Sequence, residues 1–157
     1  SKNAVNALPI EAQEPHVVEL KDGRVMMLMR TYSGFVLRSY STDKGLTWSA
    51  GEPINELPLP PNSSALNVKR IPSTGDLLLI RSTSGPPSNR SRRSPMTAII
   101  SKDDGATGTN ERTIAGDPED DYGYPGLTFL DNVALVTFHA RDGLHVARIG
   151  IDWFYAK

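Results

Sequence analysis

The sequence predicts an all-β chain built from repeated antiparallel sheets. Three observations lead there. Short apolar runs come in pairs around turn signals. The 12 Pro and 13 Gly among 157 residues punctuate the chain often. No segment keeps a 3.6-residue apolar period over three turns, so long helices are not expected.

Taken in order, Val17–Leu20 and Val25–Arg30 flank Lys21-Asp22-Gly23-Arg24, an Asp-Gly hairpin. Phe35–Tyr40 is a strand rich in aromatic and β-branched residues. The Pro-rich stretch Pro53–Pro61 reads as a connection between units. Asn67–Ile71 and Leu77–Arg81 flank Pro72-Ser73-Thr74-Gly75-Asp76 as a second hairpin. Arg81–Pro95 is a long polar excursion, a place where function often sits. Met96–Ser101 is a strand running into Lys102-Asp103-Asp104-Gly105. Leu127–Leu130 and Val133–His139 make a third hairpin around Asp131-Asn132, and Gly143–Ile151 is a last strand. The turns at Gly23, Gly75 and Asn132 recur after 52 and then 57 residues. A repeat near that length, with about four strands, is the signature of propeller blades. Approximate blades are 14–56, 65–116 and 122–157.

Composition excludes several classes of function. The 17 Lys+Arg against 18 Asp+Glu leave a net charge of −1, so no strong field draws nucleic acid or an anionic membrane. With no Cys there is no disulfide, thiolate nucleophile or Cys-ligated metal. The longest apolar run, Val25–Met29, is too short to span a bilayer. His16, His139 and His145 have no metal-ligand spacing and read as ordinary strand histidines, so no metal and no cofactor is expected. The acidic run Glu119-Asp120-Asp121 reads as a solvated turn. Arg90, Arg92 and Arg93 could touch an anion but form too short a cluster for nucleic acid.

Ser41-Thr42-Asp43-Lys44-Gly45-Leu46-Thr47-Trp48 fits S-x-D-x-G-x-T-W. The spacing suits a compact turn, with Asp43 accepting backbone N–H groups, Gly45 at positive φ and Trp48 packing between sheets. Sixty residues on, Ser101-Lys102-Asp103-Asp104-Gly105-Ala106-Thr107-Gly108 keeps all but the Trp. These motifs resemble the Asp-box, or BNR repeat, of the sialidase superfamily. In that family the boxes are structural and sit on the propeller's outer rim.

Further elements are similar to the family in its own order. They are Glu14-Pro15 leading to Arg30, Asn62-Ser63-Ser64, Arg93 with Pro95-Met96, Tyr124-Pro125, and Asp152-Trp153-Phe154-Tyr155 as the C-terminal strand. The resemblance implies an exo-glycosidase releasing terminal sialic acid, with glycans as partners and a secreted or periplasmic setting. It implies that Arg30 and Arg93 hold the substrate carboxylate, a role suited to a permanently charged fork. It implies Tyr124 as nucleophile with Glu14 as its base. Arg90 and Arg92 compete with Arg93, and Tyr122 competes with Tyr124. Glu14 is expected extended because it precedes Pro15. The resemblance further implies six blades, of which about three four-stranded ones are present. The chain then corresponds to a C-terminal half, and a third arginine and an acid/base aspartate are expected in the other half. That half, or a second copy of the chain, is the expected protein partner. A sugar-binding or structural propeller, and a glycosidase for another sugar, are the alternative readings.

Overall fold

In the computed structural model the described residues are 12–58, 65–83 and 92–156. Three antiparallel meanders make up the fold. The first holds β1 (Ala12–Glu19), β2 (Val25–Thr31), β3 (Phe35–Ser41) and β4 (Glu52–Pro58), in that order. The second holds β5 (Asn67–Arg70), β6 (Leu77–Ser82), β7 (Met96–Ser101) and β8 (Thr109–Ala115). The third has three strands among the described residues: β9 (Gly123–Leu130), β10 (Val133–Ala140) and β11 (Gly143–Gly150). Their first strands lie side by side, β5 packing against β1 and β9.

The middle sheet is buried on both faces, and its strands show it. Every residue of β6 and β7 is buried. Side chains alternate along a strand. Leu77, Leu79 and Ile99 therefore meet Met26, Leu28 and Val36 of the first sheet. Leu78, Ile80, Met96, Ala98 and Ile100 meet Leu127, Ala134, Val136 and Phe138 of the third. Each buried Val, Leu, Ile, Met or Phe among them contributes about 1.5–3 kcal/mol.

Polar ties lock the sheets at their turns. Arg70 pairs with Asp104 at 2.9 Å and donates to the carbonyls of Gly75 (2.6 Å) and Glu19 (2.7 Å). Asp104 also accepts the Lys21 N–H at 2.7 Å, so one cluster joins two hairpins and the second box. Burial of Asp104 opposes its ionisation, but these hydrogen bonds prevail and its carboxyl stays below the usual range. At the C-terminus Phe154 is buried in the core between sheets two and three. Tyr155 donates to Asp76 at 2.8 Å and lies 2.8 Å from the Thr74 hydroxyl.

The two box loops are near copies. Ser Oγ to Asp Oδ1 is 2.8 Å in both, and the Thr N–H to Asp Oδ1 bond is 2.8 Å in both. The Gly N–H donates to the Ser hydroxyl at 2.8 Å in one and 2.7 Å in the other. At Gly108, where the first box has Trp48, a Cβ would come within 2.7 Å of Ile99. Hydrogen bonds from the threonine hydroxyl, then its amide and the serine, hold Asp43 and Asp103 at about 2.

Two expectations need correction, and one element was missed. Pro53–Pro58 belongs to β4 rather than a connection, and the strand tolerates Pro because it is the sheet's edge. Residues 59–64, including Asn62-Ser63-Ser64, lie outside the described residues, as does Arg90. Asp152–Tyr155 forms a 3-10 helix, Ile151–Tyr155, instead of a strand, which turns Phe154 into the core. Among the described residues the third sheet has three strands and the other two have four each. The polar edge strand β8 gave no apolar signal and was not expected at all.

Replacing Arg70 by Met should lower the free energy of unfolding by about 1.5–3 kcal/mol, the scale of hydrogen bonds to a charged group. Urea denaturation measures this, and an unchanged midpoint would show that the cluster does not tie the sheets. The depressed carboxyls of Asp43 and Asp103 stabilise the fold above the ordinary carboxylate range, and that stabilisation is lost as pH falls toward about 2. Thermal midpoints measured from pH 5 to pH 2 should therefore fall less steeply once both residues are replaced by Asn.

Candidate functional site

Glu14 lies in a β-bulge. Gln13 pairs with Arg30 and His16 with Leu28, so β1 spends one residue more than β2 between these pairs. Glu14 takes φ 50°, not the extended geometry its following proline favours. The bulge is held by an ion pair, Arg30 Nε to Glu14 Oε2 at 2.8 Å. That approach is a close charge contact without an aligned N–H. The aligned hydrogen bonds run from Arg30 Nη2 to Glu14 Oε1 (3.1 Å) and to Gln13 Oε1 (2.6 Å). Arg30's side chain is 8% exposed and Glu14's 31%. The exposed Tyr32 ring lies 5.2 Å from the guanidinium. Burial lowers the pKa of nearby His16; Glu14 opposes this and Lys69 adds to it.

The second cluster surrounds Arg93. Its backbone is clamped to the segment entering β9: Asp121 Oδ1 accepts the Arg93 N–H at 3.0 Å, and the Arg93 carbonyl accepts the Tyr122 N–H at 3.0 Å. The Arg93 guanidinium carbon stands 5.8 Å from the Tyr124 ring centroid. Arg92 points elsewhere, to Glu119 and the Pro118 carbonyl. The acidic run is thus more than a solvated turn. Asp120 accepts the amides of Asp121 and Arg141, each at 2.7 Å.

The two competing tyrosines have opposite surroundings. Tyr122 is 5% exposed, packs edge-on against Phe138, and its hydroxyl accepts the Asp117 N–H at 3.1 Å. Burial raises its pKa. Tyr124 is 59% exposed. They do not share a strand face, because Tyr124 sits at φ 53°. Asn67, at the start of β5, donates to the Pro125 carbonyl at 3.0 Å and fixes the chain just past Tyr124.

The bulge around Tyr124 repeats the one around Glu14. Gly123 pairs with His139 and Gly126 with Thr137, again one extra residue on the first strand. Gln13-Glu14-Pro15-His16 and Gly123-Tyr124-Pro125-Gly126 are therefore equivalent. In each, the second residue is left-handed and followed by proline. Arg30 and His139 occupy the matching cross-strand position. Sequence reasoning missed Gln13, Tyr32 and the Arg93 clamp; the repeated X-Pro at equal places in two repeats was the signal available. The structure brings Glu14 to Arg30 and Arg93 to Tyr124.

A cavity of about 390 Å³ between the first two sheets, lined by Met26, Leu28, Leu79 and Ile99 and by the charged Arg81 and Glu111, touches none of these four residues. Among the described residues there is no group of three or more metal-ligating side chains, and no helix is long and apolar enough to cross a membrane.

Residues 2–137 match the family model described as a BNR repeat-like domain. The chain belongs to this family. Solved structures extend the likeness. The BNR repeat-like domain superposes on the intramolecular trans-sialidase from Ruminococcus gnavus with a TM-score of 0.71 at 21% identity, covering 97% of this chain and 35% of that one. A mutant NanB sialidase from Streptococcus pneumoniae gives 0.68 at 24% identity, with 94% and 24% covered. The α-L-arabinanase from Penicillium chrysogenum gives 0.64 at 18% identity, with 87% and 45% covered. These likenesses establish the fold: the three sheets match blades of a sialidase-type propeller. The domain spans less than half the length of each of these structures. A comparison with curated proteins finds no match.

Tyr122→Ala should cost about 3–5 kcal/mol, as for other large buried aromatics. Tyr124→Ala should change stability by no more than about 0.5 kcal/mol. Chemical denaturation of the two variants checks the contrast, and equal losses would contradict the division into core and surface tyrosines.

Proposed function

We propose that this BNR repeat-like domain contributes one side of a sialidase-type exo-glycosidase site. The observation that carries the reading is the pair of equivalent bulges, which hold Glu14 and Tyr124 in strained backbone positions, each beside an arginine. Strain of this kind costs about 1–3 kcal/mol and clusters at functional sites. Tyr124 is the nucleophile, exposed where a sugar can reach it. Glu14, a carboxylate within the Arg30 fork, is the acceptor for its proton. A phenol suits a substrate that itself carries a carboxylate, since an anionic nucleophile would be repelled. Arg30 and Arg93 attract that carboxylate with charges that persist at any working pH.

A complete site also needs an acid for the leaving oxygen and a further cation. We place these in additional propeller blades, supplied by more of the polypeptide or by a second copy of the chain. The domain's coverage of 24–45% of the matched structures supports this. So does the far side of the third sheet, where Leu130, Leu144 and Val146 are exposed and offer an apolar face to a further blade. The likeness to an arabinanase supports a second reading, hydrolysis of a neutral sugar on the same scaffold.

The intact protein should release the fluorophore from an aryl sialoside. Glu14→Gln should slow it ~10²–10⁴-fold, the usual contribution of a general base, and Arg30→Ala should both raise KM and lower kcat, because it removes a charge and releases the Glu14 bulge. The 157-residue chain alone should show no turnover, lacking the acid. Full activity in Tyr124→Phe would overturn the assignment, and activity on arabinosides but not sialosides would select the second reading.

A further inference from the structure

We infer that Gln13 is a positioning residue for Arg30, holding the guanidinium in the orientation that meets an anionic ligand. The inference rests on the proposed anion-binding role of Arg30. In a regular strand residues 13 and 14 would point to opposite faces. The bulge and the left-handed Glu14 break that alternation, and both side chains converge on Arg30. Glu14 takes the Nε and Nη2 side of the fork, and Gln13 accepts from Nη2 at 2.6 Å. Glu14 meets two nitrogens of the fork, and Gln13 adds a second, shorter acceptor at Nη2, so that end of the guanidinium is held from two sides.

The chain supplies its own control. The bulge in the third sheet is built the same way with Gly123 at the place of Gln13. The backbone device therefore does not require a side chain there. What differs is the residue across the ladder, Arg30 in one sheet and His139 in the other. Gln13 thus serves the arginine rather than the strand. Its amide is also neutral: it orients the cation without setting a second carboxylate beside that of Glu14.

Binding of N-acetylneuraminic acid and of its methyl ester to the intact protein tests this by NMR titration. Gln13→Ala and Gln13→Glu should each weaken the acid about tenfold and leave the ester unchanged, with little change in the thermal midpoint. Gln13→Ala combined with Arg30→Lys should bind the acid no more weakly than Arg30→Lys alone, since coupled residues are not additive. Equal weakening of acid and ester, or additive effects of the two substitutions, would overturn the inference, as would wild-type affinity for the acid in Gln13→Ala. If the unsubstituted protein fails to prefer the acid over the ester, the anion-binding role of Arg30 fails and this inference with it.

Discussion

Everything in this fold depends on the middle sheet being packed on both faces. Leu77 and Leu79 point one way, Leu78 and Ile80 the other, and each set meets a different neighbouring sheet. A one-residue slip of β6 would exchange the two sets and carry Arg81, buried beside Glu111 on the first side, into the second core. This stacking places β5 between β1 and β9, the strands that carry the Glu14 and Tyr124 bulges. The order of these strands is therefore set by sheet packing between residues more than 100 positions apart in the chain.

Around that core, the chain uses two kinds of polar structure. The box loops satisfy themselves: serine, aspartate and threonine bond within seven residues of one another, and the same distances recur in both copies. The rim cluster of Arg70 and Asp104 instead reaches across sheets, to Glu19, Lys21 and Gly75. Local loops of the first kind can be copied from blade to blade without regard to neighbours. Ties of the second kind fix one particular neighbour. Lys44 occupies in the first box the place of Asp104 in the second, so the tie is specific to the second sheet.

That difference explains what could be read from the sequence. The box motif was legible because its partners lie within a few residues, and the apolar strands because burial on both faces leaves near-continuous runs in β2, β6 and β7. Edge strands were not legible. β8 is polar because it lies at the rim, and β4 carries two prolines that an edge permits. Arg30, Arg93, Glu14 and Tyr124 are candidates through resemblance alone, and the way they are held was hidden. The Arg93 clamp joins residues 28 apart, and the Gln13 contact spans 17. The different exposure of Tyr122 and Tyr124 goes with a single backbone angle, which no side-chain pattern reports.

The repeated bulge shows how one backbone solution serves two chemical ends. A left-handed residue before proline is costly, and each copy is held by contacts from outside its own strand. In the first sheet Arg30 supplies them from β2. In the third, Asn67 grips the Pro125 carbonyl from the neighbouring sheet, and Ser82 holds the Tyr122 carbonyl at 2.8 Å. The side chains then differ freely. One copy presents a carboxylate to a buried cation; the other leaves a phenol exposed beside an arginine. Because the anchoring differs, the two copies need not fail together. Loss of Arg30 removes both the charge and the support of the Glu14 bulge, while the Tyr124 bulge keeps its hold on sheet two. The geometry of the tyrosine thus rests on neutral hydrogen bonds from the second sheet, and that of the glutamate on charge.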